Sequence, residues 1–195
     1  RHTGHPFRRR PGCPMPHLLL RRRPLVFAAG VLPAAIAAPQ SARDDALPAL
    51  LRRGGVAIAF RHALAPGTFD PEGFKLEDCG TQRNLNDEGR AQARRIGQWF
   101  RERSLTPARV RSSPWCRCTE TARLAFGDAE VWPSLGVPRR DDTAAREAQV
   151  RSLREALAAL PEGRFEAWVT HQFVLQDLAG RSSQPAEALV LRARA

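Results

Sequence analysis

Apolar positions along the chain follow two periods. Gly55-Val56-Ala57-Ile58-Ala59-Phe60 and Phe165-Glu166-Ala167-Trp168-Val169-Thr170 are short, largely apolar runs with the length and β-branched or aromatic content of buried strands. Ala108-Arg109-Val110-Arg111, Glu130-Val131-Trp132 and Ala188-Leu189-Val190-Leu191 read as shorter strands. Between them the period changes to that of helices. Ala93, Ile96, Gly97 and Phe100 share a face behind a capping Asn86, and Cys118, Ala122 and Ala125 share one within residues 115–126. Val150, Leu153, Leu157 and Leu160 mark a further helix ended by Pro161-Glu162-Gly163, and a short one runs on to Gly180. A polar loop rich in Gly, Pro and Asp occupies the stretch from Arg61 to about Asn86. Strands alternating with helices predict a three-layer α/β/α domain with a mostly parallel central sheet. In such sheets ligands gather at the carboxyl ends of strands.

The first 38 residues follow neither period. Residues 1–14 are rich in Arg, Pro and His and read as upstream sequence without structure. From Met15 the order is that of an export signal. Arg21-Arg22-Arg23 precedes an apolar run from Leu25 to Ala38, and Ala35-Ile36-Ala37 supplies an A-x-A cleavage pattern. The run contains Pro33 and is shorter than the ~20 residues a membrane span needs. Arg22-Arg23-Pro24-Leu25-Val26 is also similar to a twin-arginine signal. The segment 15–38 is therefore expected to be a signal peptide, with cleavage near Ala37 or Ala38. The mature domain, 39–195, would begin near Pro39 and work in the periplasm or outside the cell.

Removing that segment changes the charge. The whole chain has 31 Lys+Arg against 20 Asp+Glu, a net +11. Arg1, Arg8, Arg9, Arg10, Arg21, Arg22 and Arg23 all lie ahead of the apolar run, which leaves 24 basic residues against 20 acidic ones. So small an excess carries no nucleic-acid footprint. The cut also removes His2, His5, His17 and Cys13, so the domain keeps His62, His171, Cys79, Cys116 and Cys118. No C-x-x-C, H-E-x-x-H, G-x-G-x-x-G, phosphate-binding P-loop or G-x-S-x-G pattern occurs, and no Cys is followed by Arg at the spacing of cysteine phosphatases. No metal and no cofactor is called for.

The two remaining His both stand at predicted strand ends. Arg61-His62 follows the first strand directly, and His171 follows the strand ending at Thr170. A neutral imidazole is a competent nucleophile for a phosphoryl group, since its ordinary pKa is about 6.5. Guanidinium groups offer paired donors to phosphate oxygens. A second His could stabilise charge on the transferring group.

At these residues the chain resembles the histidine phosphatase superfamily, the phosphoglycerate-mutase-like proteins. Phe60-Arg61-His62-Ala63 with Pro66-Gly67 resembles the family's Arg-His signature, with Ala63 in place of the usual Gly. Arg83-Asn84-Leu85-Asn86-Asp87-Glu88-Gly89 resembles its R-x-L-[ST]-x-x-G turn into a helix. Ser112-Ser113-Pro114-Trp115-Cys116-Arg117-Cys118-Thr119-Glu120-Thr121-Ala122 resembles S-S-P-x-x-R-A-x-x-T-A, and Val169-Thr170-His171-Gln172 resembles the strand carrying the second His. The matches come in family order over residues 55–191. The resemblance implies a phosphoglycerate-mutase-like fold and makes His62 the nucleophile. Arg61 and Arg117 would hold phosphate, His171 would complete the pocket, and Arg83 would lie near it. Arg111 is expected to be structural.

The resemblance stops at the general acid. Where many family members carry an acidic residue, this chain reads Pro133-Ser134-Leu135-Gly136-Val137-Pro138-Arg139-Arg140-Asp141-Asp142. Asp141 and Asp142 stand as substitutes, although paired Asp ahead of a helix also serve as caps. Without an acid a poor alkoxide leaving group is disfavoured, and mutase activity is not expected. Two readings follow: an exported phosphatase acting on a small phosphorylated substrate, or a non-catalytic phosphate- or polyanion-binding module on the same fold. In an oxidising compartment three Cys suggest one disulfide. Cys116 and Cys118 point to different faces of one helix, and Cys118 takes the motif's small buried position. Cys116 would then face outward and pair with Cys79; three free thiols are the alternative.

Overall fold

A computed structural model describes residues 40–139 and 141–193. The upstream segment 1–14, the signal segment 15–38 and the expected start at Pro39 lie outside the described residues. The elements run α1 (Gln40–Arg53), β1 (Val56–Arg61), α2 (Asp87–Glu102), β2 (Arg109–Ser112), α3 (Cys116–Phe126), β3 (Glu130–Val131), α4 (Thr143–Ala158), β4 (Phe165–Thr170), α5 (Gln172–Ala179) and β5 (Ala188–Leu191). Single 3₁₀ turns occur at Cys79–Thr81 and Pro133–Leu135.

The strands form one five-stranded sheet in the order β3-β2-β4-β1-β5. β1, β2, β3 and β4 are mutually parallel, and β5 joins antiparallel along β1. Alternation along β1 and β4 divides the core between two faces. Val56, Ile58 and Phe60 meet Phe165, Ala167 and Val169 on one face, where Leu51 of α1, Phe100 of α2 and Ala122 of α3 cover them. Ala57, Ala59 and Trp168 face the other way, onto Leu153 and Leu157 of α4 and Val174 and Leu175 of α5. The domain is thus a three-layer α/β/α sandwich with a mostly parallel sheet.

Helix ends follow the sequence signals. The Asn86 side chain accepts the Gly89 N–H at the start of α2, and Asp142 accepts the Ala145 N–H at the start of α4. Gly180 ends α5 at φ 69°, a left-handed backbone that suits glycine. Gly89 has a different task, because a Cβ there would sit 2.1 Å from the Leu64 carbonyl oxygen. Only glycine lets the segment after His62 press against the first turn of α2.

α1 is the element that the hydrophobic pattern did not predict. Pro48 lies within it and cannot donate to the helix ladder, and it removes the ordinary signature of a helix interior. Packing compensates: Leu51 is fully buried and Leu47 and Leu50 pack against the same core cluster. Cys116 also differs from expectation. It is buried, because the segment carrying Cys79 and Gln82 folds over the start of α3; Gln82 Oε1 accepts the Cys116 N–H at 3.0 Å.

Candidate active site

The site is assembled at the carboxyl ends of β1, β2 and β4. Arg61 pairs with Thr170 in the parallel register of β1 and β4, so the residues that follow, His62 and His171, emerge side by side. The His62 N–H donates to the Thr170 carbonyl at 2.9 Å, and the Ser113 N–H donates to the Val169 carbonyl at 2.9 Å. The two imidazoles lie with ring centroids 5.5 Å apart. Thr121 ties α3 to this edge. Its Oγ1 accepts the Ala63 N–H at 3.1 Å and donates to the Arg117 carbonyl at 2.7 Å.

Hydrogen bonding fixes the state of His62. Nδ1 lies 2.7 Å from the Ala63 carbonyl oxygen, which can only accept, so Nδ1 bears the proton and Nε2 carries the lone pair. Burial pushes the His62 pKa down to about 3, and the nearby guanidinium groups of Arg117, Arg83 and Arg61 push in the same direction. The ring is therefore neutral near pH 7, as a nucleophile must be.

His171 is also held well below its ordinary pKa, first by burial and then by His62 and the same three Arg. Its Nε2 lies 2.8 Å from Ser113 Oγ and 3.5 Å from Cys118 Sγ. Cys118 Sγ can donate to the Thr170 carbonyl at 3.6 Å, and Ser113 Oγ accepts the Trp115 N–H at 3.4 Å. A Ser113 hydroxyl donating to Nε2 satisfies this set and puts the His171 proton on Nδ1, the tautomer that a donor to an oxyanion would need. Cys118 itself is no rival nucleophile: burial raises its thiol pKa to about 12.

Three arginines complete the floor. Arg61 Nη1 donates to the Ser183 carbonyl at 2.7 Å. Arg83 Nη1 donates to the carbonyls of Ala65 and Gly67. Burial draws the pKa of both below the ordinary guanidinium value, which still leaves them charged at neutral pH. Arg61, Arg83 and Arg117 each keep a buried Nε with no hydrogen-bond partner. Buried donors without partners are costly, by about 1–3 kcal/mol each. Arg61, Arg83 and Arg117 all line the cleft, so an oxyanion there would meet three guanidinium groups.

Arg117 shows a feature that sequence reasoning missed. Asp70 grips its far edge, with Oδ1 accepting from Nη1 at 2.8 Å and Oδ2 accepting from Nη2 at 3.1 Å. The side chains are 9% and 6% exposed respectively, so solvent screens this pair little. Asp70 also accepts the Arg83 N–H at 2.9 Å and the Trp115 indole N–H at 3.2 Å. Burial alone would raise the Asp70 pKa, but these donors, Arg117 foremost, bring the net shift below the ordinary value. Asp70 stays ionised and fixes Arg117 by one edge, leaving the Nε edge unpaired. In sequence Asp70 precedes Pro71 inside a long polar loop, where it reads as a turn residue.

The cleft above this floor has a volume of about 920 Å³ and is lined by Arg61, His62, Arg83, Arg117 and His171 together. Asp141 and Asp142 do not line it. Asp141 is exposed and pairs with Arg139 at 3.4 Å, and Asp142 is committed to capping α4. They are corrected from substitute acids to a surface ion pair and a helix cap. The acidic residues that do line the cleft are Asp70 and Asp177, and Asp177 lies 3.5 Å from Arg146. Arg111 lies away from the lining, stacked 4.5 Å over Trp132 and 3.5 Å from Glu166. Cys79 and Cys116 form a disulfide with Cα atoms 5.7 Å apart, joining the segment before Arg83 to the residue before Arg117. Among the described residues no group of three or more His, Cys, Asp or Glu is placed to hold a metal, and no helix is long and apolar enough to cross a membrane.

Comparison with known proteins agrees with this geometry. Residues 77–136, which include Arg83 and Arg117, match the model of the histidine phosphatase superfamily (branch 1). Comparison with curated proteins finds no significant match. Among solved structures, a protein assigned as the phosphohistidine phosphatase SixA from Agrobacterium tumefaciens is similar with a TM-score of 0.51 at 21% identity, over 71% of this chain and 91% of that one. The Rv3214 product of Mycobacterium tuberculosis gives 0.52 at 19% identity, over 69% and 89%. The phosphoserine phosphatase of Entamoeba histolytica, solved with phosphoserine, gives 0.52 at 13% identity, also over 69% and 89%. At these identities the likeness is one of fold, and the matched segment adds the motifs that carry Arg83 and Arg117. Residues 77–136 thus resemble the histidine phosphatase superfamily, and the fold is shared with solved phosphatases.

Proposed function

We propose that the protein is an exported phosphatase that hydrolyses phosphate monoesters, or a related phosphoryl group, through a phosphohistidine on His62. The observation that carries the reading is the pairing of a neutral nucleophile with unsatisfied cationic donors. His62 has its proton on Nδ1 and its lone pair on Nε2, in a cleft where Arg61, Arg83 and Arg117 each keep an unpartnered Nε. In the first step Nε2 attacks phosphorus and the bond to the leaving oxygen breaks, its electron pair going to that oxygen. The three guanidinium groups and His171 hold the equatorial oxygens as charge redistributes. Water then attacks the phosphohistidine, releasing inorganic phosphate and restoring the imidazole. The solved phosphatases of the same fold lend support to the reaction class.

Export rests on the signal pattern between Met15 and Ala38, and the Cys79–Cys116 disulfide supports an oxidising compartment. N-terminal sequencing of secreted or periplasmic protein should find a start near Pro39; intact sequence ahead of Met15 would overturn this part. Activity is tested with an aryl phosphate, whose leaving group scarcely needs protonation. Wild-type protein should release phosphate and His62→Ala should not. Tight phosphate binding without turnover would instead favour the non-catalytic module.

A further inference from the structure

Among the described residues four large hydrophobic side chains are exposed: Phe69, Leu76, Val131 and Phe173. Three of the four, at 63%, 38% and 52% exposure, stand on the cleft above His62. They come from separate parts of the chain, Phe69 and Leu76 from the connection between β1 and α2 and Phe173 from the first turn of α5. Trp115, Phe74 and Val137 continue the apolar wall, with the Phe74 and Trp115 rings 6.1 Å apart. Exposed apolar side chains scattered singly need no explanation, but convergence on one concave site marks a binding surface.

Arg61, Arg83, Arg117 and both His form the floor of the cleft, and its remaining charged lining is Asp70, Arg139, Arg146 and Asp177. Above the floor the neutral hydrogen-bonding side chains of the lining are Thr68 and Gln172, and Gln172 Nε2 already donates to Ser182 Oγ at 3.1 Å. Arg139 pairs with Asp141 and Arg146 with Asp177, so a sugar or polyol would lose water of hydration to the apolar side chains and find few uncommitted partners. The two carboxylates of the lining are engaged by Arg117 and Arg146, and Asp70 is held ionised, so neither stands ready to protonate a departing alkoxide. A leaving group suited to this site is planar, apolar and stable as an anion.

Resting on the phosphatase reading above, we infer that the site takes phosphate monoesters of phenols and related aryl alcohols, with the ring held among Phe69, Leu76, Trp115 and Phe173 while the phosphoryl group meets His62. The bond from phosphorus to the aryl oxygen breaks as the bond to Nε2 forms. The electron pair leaves with the phenolate, which is protonated by water.

Contact and leaving-group ability are separated with non-hydrolysable phosphonates used as competitive inhibitors of wild-type protein. 1-Naphthylmethylphosphonate should inhibit roughly tenfold or more tightly than methylphosphonate, the gain expected when one ring is buried against apolar walls. Phe173→Ala and Phe69→Ala should each shrink that gap, whereas glucose 6-phosphate and glycerol 3-phosphate should compete poorly. Equal inhibition by the two phosphonates, or a sugar phosphate that competes as well as the naphthyl compound, would overturn the inference. Labelling with phosphoramidate, which has no aryl group, keeps this outcome apart from the reaction class. Phosphorylation of His62 together with equal phosphonate inhibition would reject the aryl preference alone. No phosphorylation at all would reject the phosphatase reading beneath it.

Discussion

The strand-end floor and the loop that roofs it are built by different means. His62 and His171 are placed by backbone: two adjacent parallel strands end in register, and the His62 N–H continues the ladder to Thr170. The connection from β1 to α2 has little ladder of its own and is held by side chains. Gln82 Nε2 donates to the carbonyls of Lys75 and Leu76, Asn84 Nδ2 donates to that of Cys79, and the disulfide fastens the segment to α3. From this loop Asp70 reaches back to grip Arg117. On the proposed mechanism the floor supplies the reacting atom, and the roof orients a charge. Damage to the floor should abolish chemistry, whereas damage to the roof should slow it.

The largest effect is expected on the floor. His62→Ala removes the proposed nucleophile and should leave no measurable turnover; substantial residual activity would move the nucleophile elsewhere. Arg117→Ala should lower kcat by roughly two to three decades, the usual cost of losing one preorganised donor to developing charge. A loss confined to KM would mean that Arg117 only binds substrate.

Asp70→Asn probes the roof with almost no change of shape. The amide keeps one acceptor but loses the charge that holds the Arg117 fork. We expect kcat to fall roughly tenfold, the value of one charge-assisted bond of about 1.5 kcal/mol, with a smaller change in KM. A variant with wild-type kcat would reduce Asp70 to a packing residue. Cutting the disulfide should act mainly on stability. Cys79→Ser with Cys116→Ser should cost roughly 2–4 kcal/mol in denaturant unfolding and only a few-fold in kcat/KM. An effect on rate as large as that of Arg117→Ala would contradict the division between floor and roof.

The effect furthest from the chemistry comes from pH. His62 and His171 are buried neutral with pKa values below that of an unfolded His, His62 at about 3. Between pH ~6.5 and ~3 the unfolded chain therefore binds more protons at these sites than the folded one. Stability should be fully present above pH ~6.5 and fall as the pH drops, by up to about 1.4 kcal/mol per unit for each His. Replacing His171 by Asn should flatten the slope of a denaturation series over that window. An unchanged slope would place His171 in contact with solvent.

The same contrast explains what the sequence made legible. β1 and β4 were readable as buried apolar runs and α2, α3 and α4 because each buries a face with a helical period, whereas β3 is a two-residue exposed edge; both His were readable because strand ends are where such sheets react. The Ser-Ser-Pro segment was readable only through its resemblance to the family pattern, and the structure brings Ser113 to His171, Arg117 to the cleft and Thr121 to the His62 strand end. Asp70 was not, because its partners lie 13, 45 and 47 residues away and no local spacing marks it. α1 was hidden by Pro48, whose cost is met by tertiary packing that no local pattern displays. Asp141 and Asp142 stood as substitute acids only because no acid falls where the family pattern carries one, and the chain turns them toward solvent and a helix end.

The central claim is that a phosphoryl group resides on His62 during turnover. Rapid acid-free quenching of wild-type protein with phosphoramidate or an aryl phosphate, followed by peptide mass spectrometry, locates that group. We expect an acid-labile, alkali-stable phosphoryl on His62, lost in His62→Ala and still detectable when His171 is replaced. Turnover with the phosphoryl group on any other residue, or with none trapped while His62→Ala remains active, would contradict it.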